Sequence, residues 1–275
     1  MRTTMDWREQ VGQSWARMYR QTDRSLAGLT EQLLDAIAKE PGQAVLDIGC
    51  GAGELALAIA RARPRAHVIG VDISPDLAAT ARERGVHHAN AEFVESDASC
   101  FSLPGFSPDL LVSRHGVMFF DDPVAAFAHL RGQADQAARL VFSCFRTARQ
   151  NPWMSDLAAM LPGDPLAPEP DPHAPGPFAF ADPDRLQSIL RGAGWSGVEI
   201  APADFAYIAG HGDDPVGDAE HFFSRIGPAA RTLAELDDEE RARVVTAMRG
   251  WLDCNRSGDL VAFPAAAWIV SARNG

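Results

Sequence analysis

The sequence predicts an α/β protein built on a doubly wound, mostly parallel sheet with helices on both faces, preceded by N-terminal helices and interrupted by an inserted helical lid. Three observations predict it. Strand-like and helix-periodic segments alternate between residues 44 and 145, a run of glycines follows the first predicted strand at once, and the alternation fails in two later stretches.

In chain order, Trp7, Val11, Trp15 and Met18 recur at spacings of four, four and three and predict an amphipathic helix over residues 6–20. A second helix is expected from about 23 to 39, ended by Pro41-Gly42. Ala44-Val45-Leu46-Asp47-Ile48 reads as a short buried strand. Helices are then expected at Leu55 to Arg63, Pro75 to Arg84 behind Ser74, and Pro123 to Arg131. Strands are expected at His67 to Val71, Ala91 to Val94, Leu110 to Ser113 and Arg139 to Phe145. Prolines 162, 165, 168, 170, 172, 175 and 177 exclude a regular strand or long helix there. Alternation returns with a helix from Asp182 to Ala193 and a strand at Val198 to Ile200; residues 216–252 read as helical and Ala265 to Ser271 as a closing strand. The expected organisation is therefore N-terminal helices over 1–40, a core of 41–148, 178–203 and 259–275, and lid or substrate-binding insertions at 149–177 and 204–258.

The chain of 275 residues is 46% apolar and 23% charged, which suffices for a buried core. A formal net charge of −12 disfavours nucleic acid, whose phosphates would be repelled, and there is no basic run to release counterions. Cys50, Cys100, Cys144 and Cys254 are too far apart for a zinc knuckle or a CxxC redox pair, and no Asp/Glu/His cluster has metal spacing, so no metal is expected. His87 and His88 read as surface residues. Without a signal segment or a run of about 18 apolar residues, the expectation is a cytoplasmic protein with no membrane span, monomeric or homodimeric.

The run that carries chemistry is Val45 to Leu55, where a strand ends in Gly49, Gly51 and Gly53 and leads directly into a helix. Such a turn is tight and lets a ligand approach the backbone closely. A dinucleotide fingerprint, GxGxxG, would need a different continuation, and Glu54 at the helix start would repel a pyrophosphate. The ligand is expected to carry no phosphate there.

This run resembles motif I of class I S-adenosylmethionine-dependent methyltransferases. The resemblance implies a Rossmann-like, seven-stranded sheet with an antiparallel last strand, S-adenosyl-L-methionine as cofactor and S-adenosyl-L-homocysteine as product. It implies that Asp47, Gly49, Cys50, Gly51 and Gly53 form the cofactor loop. Asp72, 25 positions after Asp47 and followed by Ile73, takes the place of the acidic residue that holds the ribose hydroxyls. Asp97, with the Ala98 backbone, takes that of the residue beside the adenine amino group. Taken singly, a glycine turn is ordinary strand-to-helix chemistry and an acidic residue after a strand is a helix cap; three in order at successive strand ends point to a ligand.

Ser113-Arg114-His115-Gly116-Val117-Met118-Phe119-Phe120-Asp121-Asp122-Pro123 resembles the loop after strand four in the ubiquinone and menaquinone biosynthesis group (methyltransferase types 11 and 25), and Asn151-Pro152-Trp153, Phe178-Ala179-Phe180-Ala181-Asp182-Pro183 and Ala193-Gly194-Trp195 resemble later parts of those proteins. Where many members carry Pro-Gly-Gly before strand five, this chain has Gln136-Ala137-Ala138. The resemblance puts Ser113 and Arg114 beside the cofactor, and His115 and Met118 at the acceptor. His115 is the candidate base, titrating near working pH; the alternative is a histidine that only bonds a backbone carbonyl. Trp15, Tyr19, Met118 and Trp153 are the candidate substrate pocket, and each reads equally as packing. The implied activity is methylation of a small apolar or aromatic molecule at oxygen, carbon or nitrogen by in-line displacement. Methylation of a protein or nucleic acid, a cofactor-binding protein without transferase activity, and a nicotinamide oxidoreductase stay open as alternatives.

Overall fold

A computed structural model of the chain describes residues 7–163, 171 and 173–275. Prolines 165, 168, 170 and 172 of the proline-rich run lie outside the described residues. Three helices, α1 (Gln10–Arg17), α2 (Tyr19–Ser25) and α3 (Ala27–Ala38), lead into β1 (Ala44–Ile48). Then follow α4 (Glu54–Ala62), β2 (His67–Asp72), α5 (Pro75–Gly85), β3 (Ala91–Glu95), β4 (Leu110–Arg114), α6 (Pro123–Gln133) and β5 (Arg139–Phe145). The chain closes with α7 (Pro152–Met160), α8 (Pro183–Gly192), β6 (Trp195–His211), α9 (Pro215–Phe223), α10 (Pro228–Glu235), α11 (Asp238–Cys254), β7 (Arg256–Ser257) and β8 (Leu260–Asn274).

The sheet order is β3-β2-β1-β4-β5-β8-β6, with β7 paired to β8 alone. The pairs among β1 to β5 are parallel, whereas β8 runs antiparallel to both its neighbours. This is the doubly wound sheet with one reversed strand that the sequence predicts. Strands β1, β4 and β5 are buried nearly throughout, as a parallel sheet covered on both faces requires. Several helices open with a side-chain oxygen accepting a backbone N–H, followed by proline. Ser74 accepts from Leu77, Asp122 from Ala125, Asp182 from Asp184 and Asp214 from Gly217. The unusual turn before β5 is closed by Asp135, whose carboxylate accepts the Ala137 N–H at 2.8 Å.

Three elements differ from expectation. The N-terminal stripe is not one helix over 6–20, because the chain leaves helical geometry at Met18 and again at Leu26. Residues 149–180 include a nine-residue helix, α7, which accepts Pro152 at its first turn, where no N–H is needed. The largest difference is β6, seventeen residues long where three are predicted. Pro202 hides it in the sequence; β6 is the last strand in the sheet order and pairs only with β8, so the missing N–H faces no neighbour. The β6–β8 ladder runs unbroken across the 203/204 boundary that the sequence suggests. Asn151, fully buried, pins α7 to this ladder. Its Nδ2 donates to Ala266 O, and its Oδ1 accepts from Ala266 N and Trp153 Nε1.

Candidate active site

One cavity of about 600 Å³ opens where β1, β2, β3 and β4 end, within the usual range of about 300–1,000 Å³ for small-molecule sites. Its floor is the turn after β1. Gly49, Gly51 and Gly53 all have positive φ, which only glycine adopts without strain. Gly51 (φ 55°) faces open space with nothing within 4 Å of where a Cβ would stand, so a side chain there would project into the cradle. Gly49 instead lies against Gly116, and a Cβ on Gly116 would collide with the Ile48 carbonyl; the chain after β4 thus packs backbone to backbone on the loop.

Asp47, Gly49, Cys50, Gly51, Asp72, Ile73, Asp97, Ala98, Arg114 and His115 all line this cavity, together with Trp15, Tyr19, Met118 and Trp153. Two predicted residues do not reach it. Gly53 is the left-handed N-cap of α4 and packs on Phe93. Ser113 is fully buried; its Oγ donates to Ile48 O at 2.7 Å and accepts from Gly116 N at 3.1 Å, tying β4 to the loop from behind. Glu54 is absent from the lining too, because Arg84 holds its carboxylate at 2.6 Å. Its charge is therefore no bar to a ligand in the cavity.

Asp72 accepts the Gly51 N–H at 2.8 Å on one oxygen and the Ser74 N–H at 2.9 Å on the other, leaving lone pairs on both for a diol. Burial raises its carboxyl above the usual range, while the backbone bonds from Ser74, Gly51 and Ile73 oppose this. Asp97 accepts from Ser99 N and Oγ at 2.8 and 2.7 Å. Asp47 is buried at the base of the loop. One oxygen accepts Ala56 N at 3.1 Å and the other has no partner, an orphan that a cationic ligand group would satisfy. A cradle that a Cβ would fill, an orphaned carboxylate oxygen and a carboxylate with spare lone pairs fit a neutral-to-cationic nucleoside with an amino group.

Burial pushes Asp47 up to about 7, with Arg114 and the Ala56 N–H opposing and Asp72 adding to the rise. The folded protein thus holds a proton that the unfolded chain releases near the ordinary aspartate value of 3.8. Between those two values the folded state binds more protons, so this residue's contribution to stability falls as pH rises from about 4 to about 7. Asp47→Asn mimics the protonated form. Its melting temperature relative to wild type should therefore climb between pH 5 and pH 8, and a constant difference across that range would contradict the assignment.

His115 is the one non-glycine residue with positive φ among the described residues (66°), and it is only 7% exposed. Burial, reinforced by the Arg114 charge, lowers its imidazole to about 3, with a Ser143 backbone group opposing. The sequence suggests a histidine titrating near working pH, whereas burial and the Arg114 charge favour the neutral ring here.

Three cavity-lining features were not foreseen. Asp23 joins Arg84 at 2.9 Å and Arg114 at 3.0 Å; Arg84 also donates to Ala52 O at 2.8 Å and lies 4.5 Å from the Tyr19 ring. Arg114 further donates to Thr30 at 2.9 Å. This cluster fastens α2 and α3 to the glycine loop and to β4. Its signal was available: Tyr19, Thr22, Asp23 and Leu26 are spaced i, i+3, i+4, i+7, one helix face, and all four line the cavity. Phe145 at the end of β5 and Tyr207 in β6 complete the far wall. Among the described residues no group of three or more His, Cys, Asp or Glu could hold a metal, and no helix is long and apolar enough to cross a membrane.

Residues 45–133 match the family model described as a methyltransferase domain. The malonyl-(acyl-carrier protein) O-methyltransferase of Halalkalibacterium halodurans is 30% identical over 128 residues, 44% of this chain and 47% of that protein. The chain thus spans about half the length of the curated relatives it matches. The fold superposes on magnesium protoporphyrin IX methyltransferase from Synechocystis PCC 6803 with TM-score 0.53 and 16% identity, covering 98% of this chain and 96% of the other. It superposes equally on the (4+2)-cyclase SpnF, with TM-score 0.53 and 20% identity over 99% and 97%. Strand order, glycine loop and domain match agree: residues 45–133 carry a methyltransferase domain, set in the fold that these solved structures share.

Proposed function

We propose that the chain transfers a methyl group from S-adenosylmethionine to a small, apolar or aromatic molecule. The observation that carries this reading is a single cavity with two chemically distinct parts. Its lining has a polar part, the glycine loop with the carboxylates of Asp47, Asp72 and Asp97, and an aromatic part in which Phe145, Trp153 and Tyr207 meet in series, with Trp15 and Met118 also on the wall. When bound, S-adenosylmethionine supplies a methyl group on a sulfonium leaving group, and S-adenosylhomocysteine is the product. Asp72 and Ile73 would hold the ribose, Asp97 and Ala98 the adenine, and the Gly49 to Gly51 backbone with Asp47 the amino-acid end. Residues within 149–177 and 204–258 line this cavity and would exclude water from the acceptor. Alignment of this kind contributes about 7–11 kcal/mol, which leaves little for a base to add. A net charge of −12 supports a small-molecule acceptor over nucleic acid.

Incubation with S-adenosylmethionine and a panel of phenolic and polycyclic acceptors tests this reading. S-adenosylhomocysteine should form in step with a methylated product, and Asp72→Ala should abolish both. A second reading, a cofactor-binding protein whose chemistry is not methyl transfer, is favoured by the lack of a basic group on the aromatic wall and by the likeness of fold to a cyclase. Tight S-adenosylmethionine binding with no S-adenosylhomocysteine formed on any acceptor would support it.

A further inference from the structure

The aromatic part of the cavity has a feature that methyl transfer by itself does not require. His115 stacks on Phe145 with ring centroids 3.9 Å apart, Phe145 meets Trp153 at 5.3 Å, and Trp153 lies flat on Tyr207 at 4.2 Å with planes 2° apart. These four side chains form a continuous aromatic wall, and each is less than a tenth exposed. The Trp153 Nε1 donates to Asn151 Oδ1 at 3.2 Å. Neither His115 ring nitrogen has a hydrogen-bond partner. A polar ring, buried without a partner on a left-handed backbone, costs stability on two counts, and such arrangements persist where a ligand supplies what is missing.

We propose that His115 reads the acceptor as a neutral imidazole, pairing one ring nitrogen with a hydroxyl or carbonyl on a flat, uncharged aromatic body laid along the Phe145, Trp153 and Tyr207 wall. The inference rests on the reading of this part as the acceptor site. Charges nearby are already matched: Arg114 by Asp23 and Thr30, and Arg24 by Asp218 and the carbonyls of Ile208 and Ala209. A carboxylate or phosphate on the acceptor would find neither cation unpaired there. A neutral imidazole offers one donor and one acceptor, so it can pair with either a hydroxyl or a carbonyl. Its lowered basicity keeps it in that form throughout the neutral range.

The test uses 2-naphthol, naphthalene and 2-naphthoate as probes, titrated into the full chain with and without S-adenosylhomocysteine and followed by tryptophan fluorescence. Wild type should bind 2-naphthol about tenfold more tightly than naphthalene, the worth of one buried hydrogen bond, and 2-naphthoate more weakly than either. His115→Phe should keep naphthalene binding and lose the preference; His115→Gln, which retains a donor and an acceptor, should restore part of it. Loss of aromatic packing alone would weaken both probes together. No preference in wild type, no binding of either neutral probe, or a preference that survives in His115→Phe would overturn the proposal. S-adenosylhomocysteine affinity is read separately. Its absence in wild type would sink the methyltransferase reading, while the naphthol comparison without it still judges His115.

Discussion

Gly51→Val abolishes S-adenosylmethionine binding, weakening it by more than about a hundredfold, while the protein remains folded. The position has φ 55° and open cavity beside it, so the new side chain clashes with no protein atom within 4 Å and occupies ligand space instead. The backbone strain of a β-branched residue in the left-handed region costs about 1–2 kcal/mol of stability. Gly105→Val is the control, because Gly105 also has positive φ (83°) with nothing within 4 Å, and it lies outside the cavity. It should show a similar fall in melting temperature with unchanged ligand binding. Calorimetric titration and thermal unfolding of both variants separate the two effects. Wild-type affinity in Gly51→Val would remove the glycine loop from the site.

Asp23→Ala destabilises the fold by about 3 kcal/mol, toward the lower end of the about 3–5 kcal/mol that follows loss of one partner from a buried ion pair. The lower end applies because the Asp23, Arg84 and Arg114 side chains keep 17%, 20% and 13% of their exposure. Removal of the carboxylate leaves two guanidiniums without their shared partner, Arg84 keeping Glu54 and Arg114 keeping only the more distant Asp47. Burial, the largest influence on Asp23, and the Glu54 carboxylate raise its pKa, while Arg114 and Arg84 pull it down; the site is thus held in tension among four charges. Cofactor affinity should fall as well, because Arg84 links Asp23 to the Ala52 carbonyl of the loop. Denaturant unfolding reads the first effect. A stability change below about 0.5 kcal/mol, typical of surface pairs, would show that the cluster does not bind α2 to the core.

The core was legible in the sequence because its signals are local. β1 and β5 were bounded correctly by apolar runs, and α5 by Ser74-Pro75, since a cap and a fixed φ act within one turn. Asp47 near the end of β1, Asp72 at the end of β2 and Asp97 just after β3 come to one cavity, because a parallel sheet carries its strand ends to one edge. What was missed is what tertiary contact decides. Pro202 reads as a strand breaker until β6 is known to be an edge. Gly53 and Ser113 sit in the right motifs, but packing turns them away from the cavity. The burial of His115 was unreadable, because its identity suggests a titrating base while its packing against Phe145 and beside Arg114 favours the neutral ring. Tyr207 and Phe145 become neighbours only through Trp153, from three distant parts of the chain.

The most direct test of the central claim is calorimetric titration of the purified protein with S-adenosylmethionine, S-adenosylhomocysteine and NADH, repeated on Asp72→Ala. The first two should bind the wild type and be lost or much weakened in the variant, because Asp72 both supports the Gly51 N–H and offers the remaining lone pairs to the ribose. NADH should give no heat of binding. Binding of NADH alone, or no binding of either sulfur ligand to wild type, would contradict the account and with it every role assigned to the cavity.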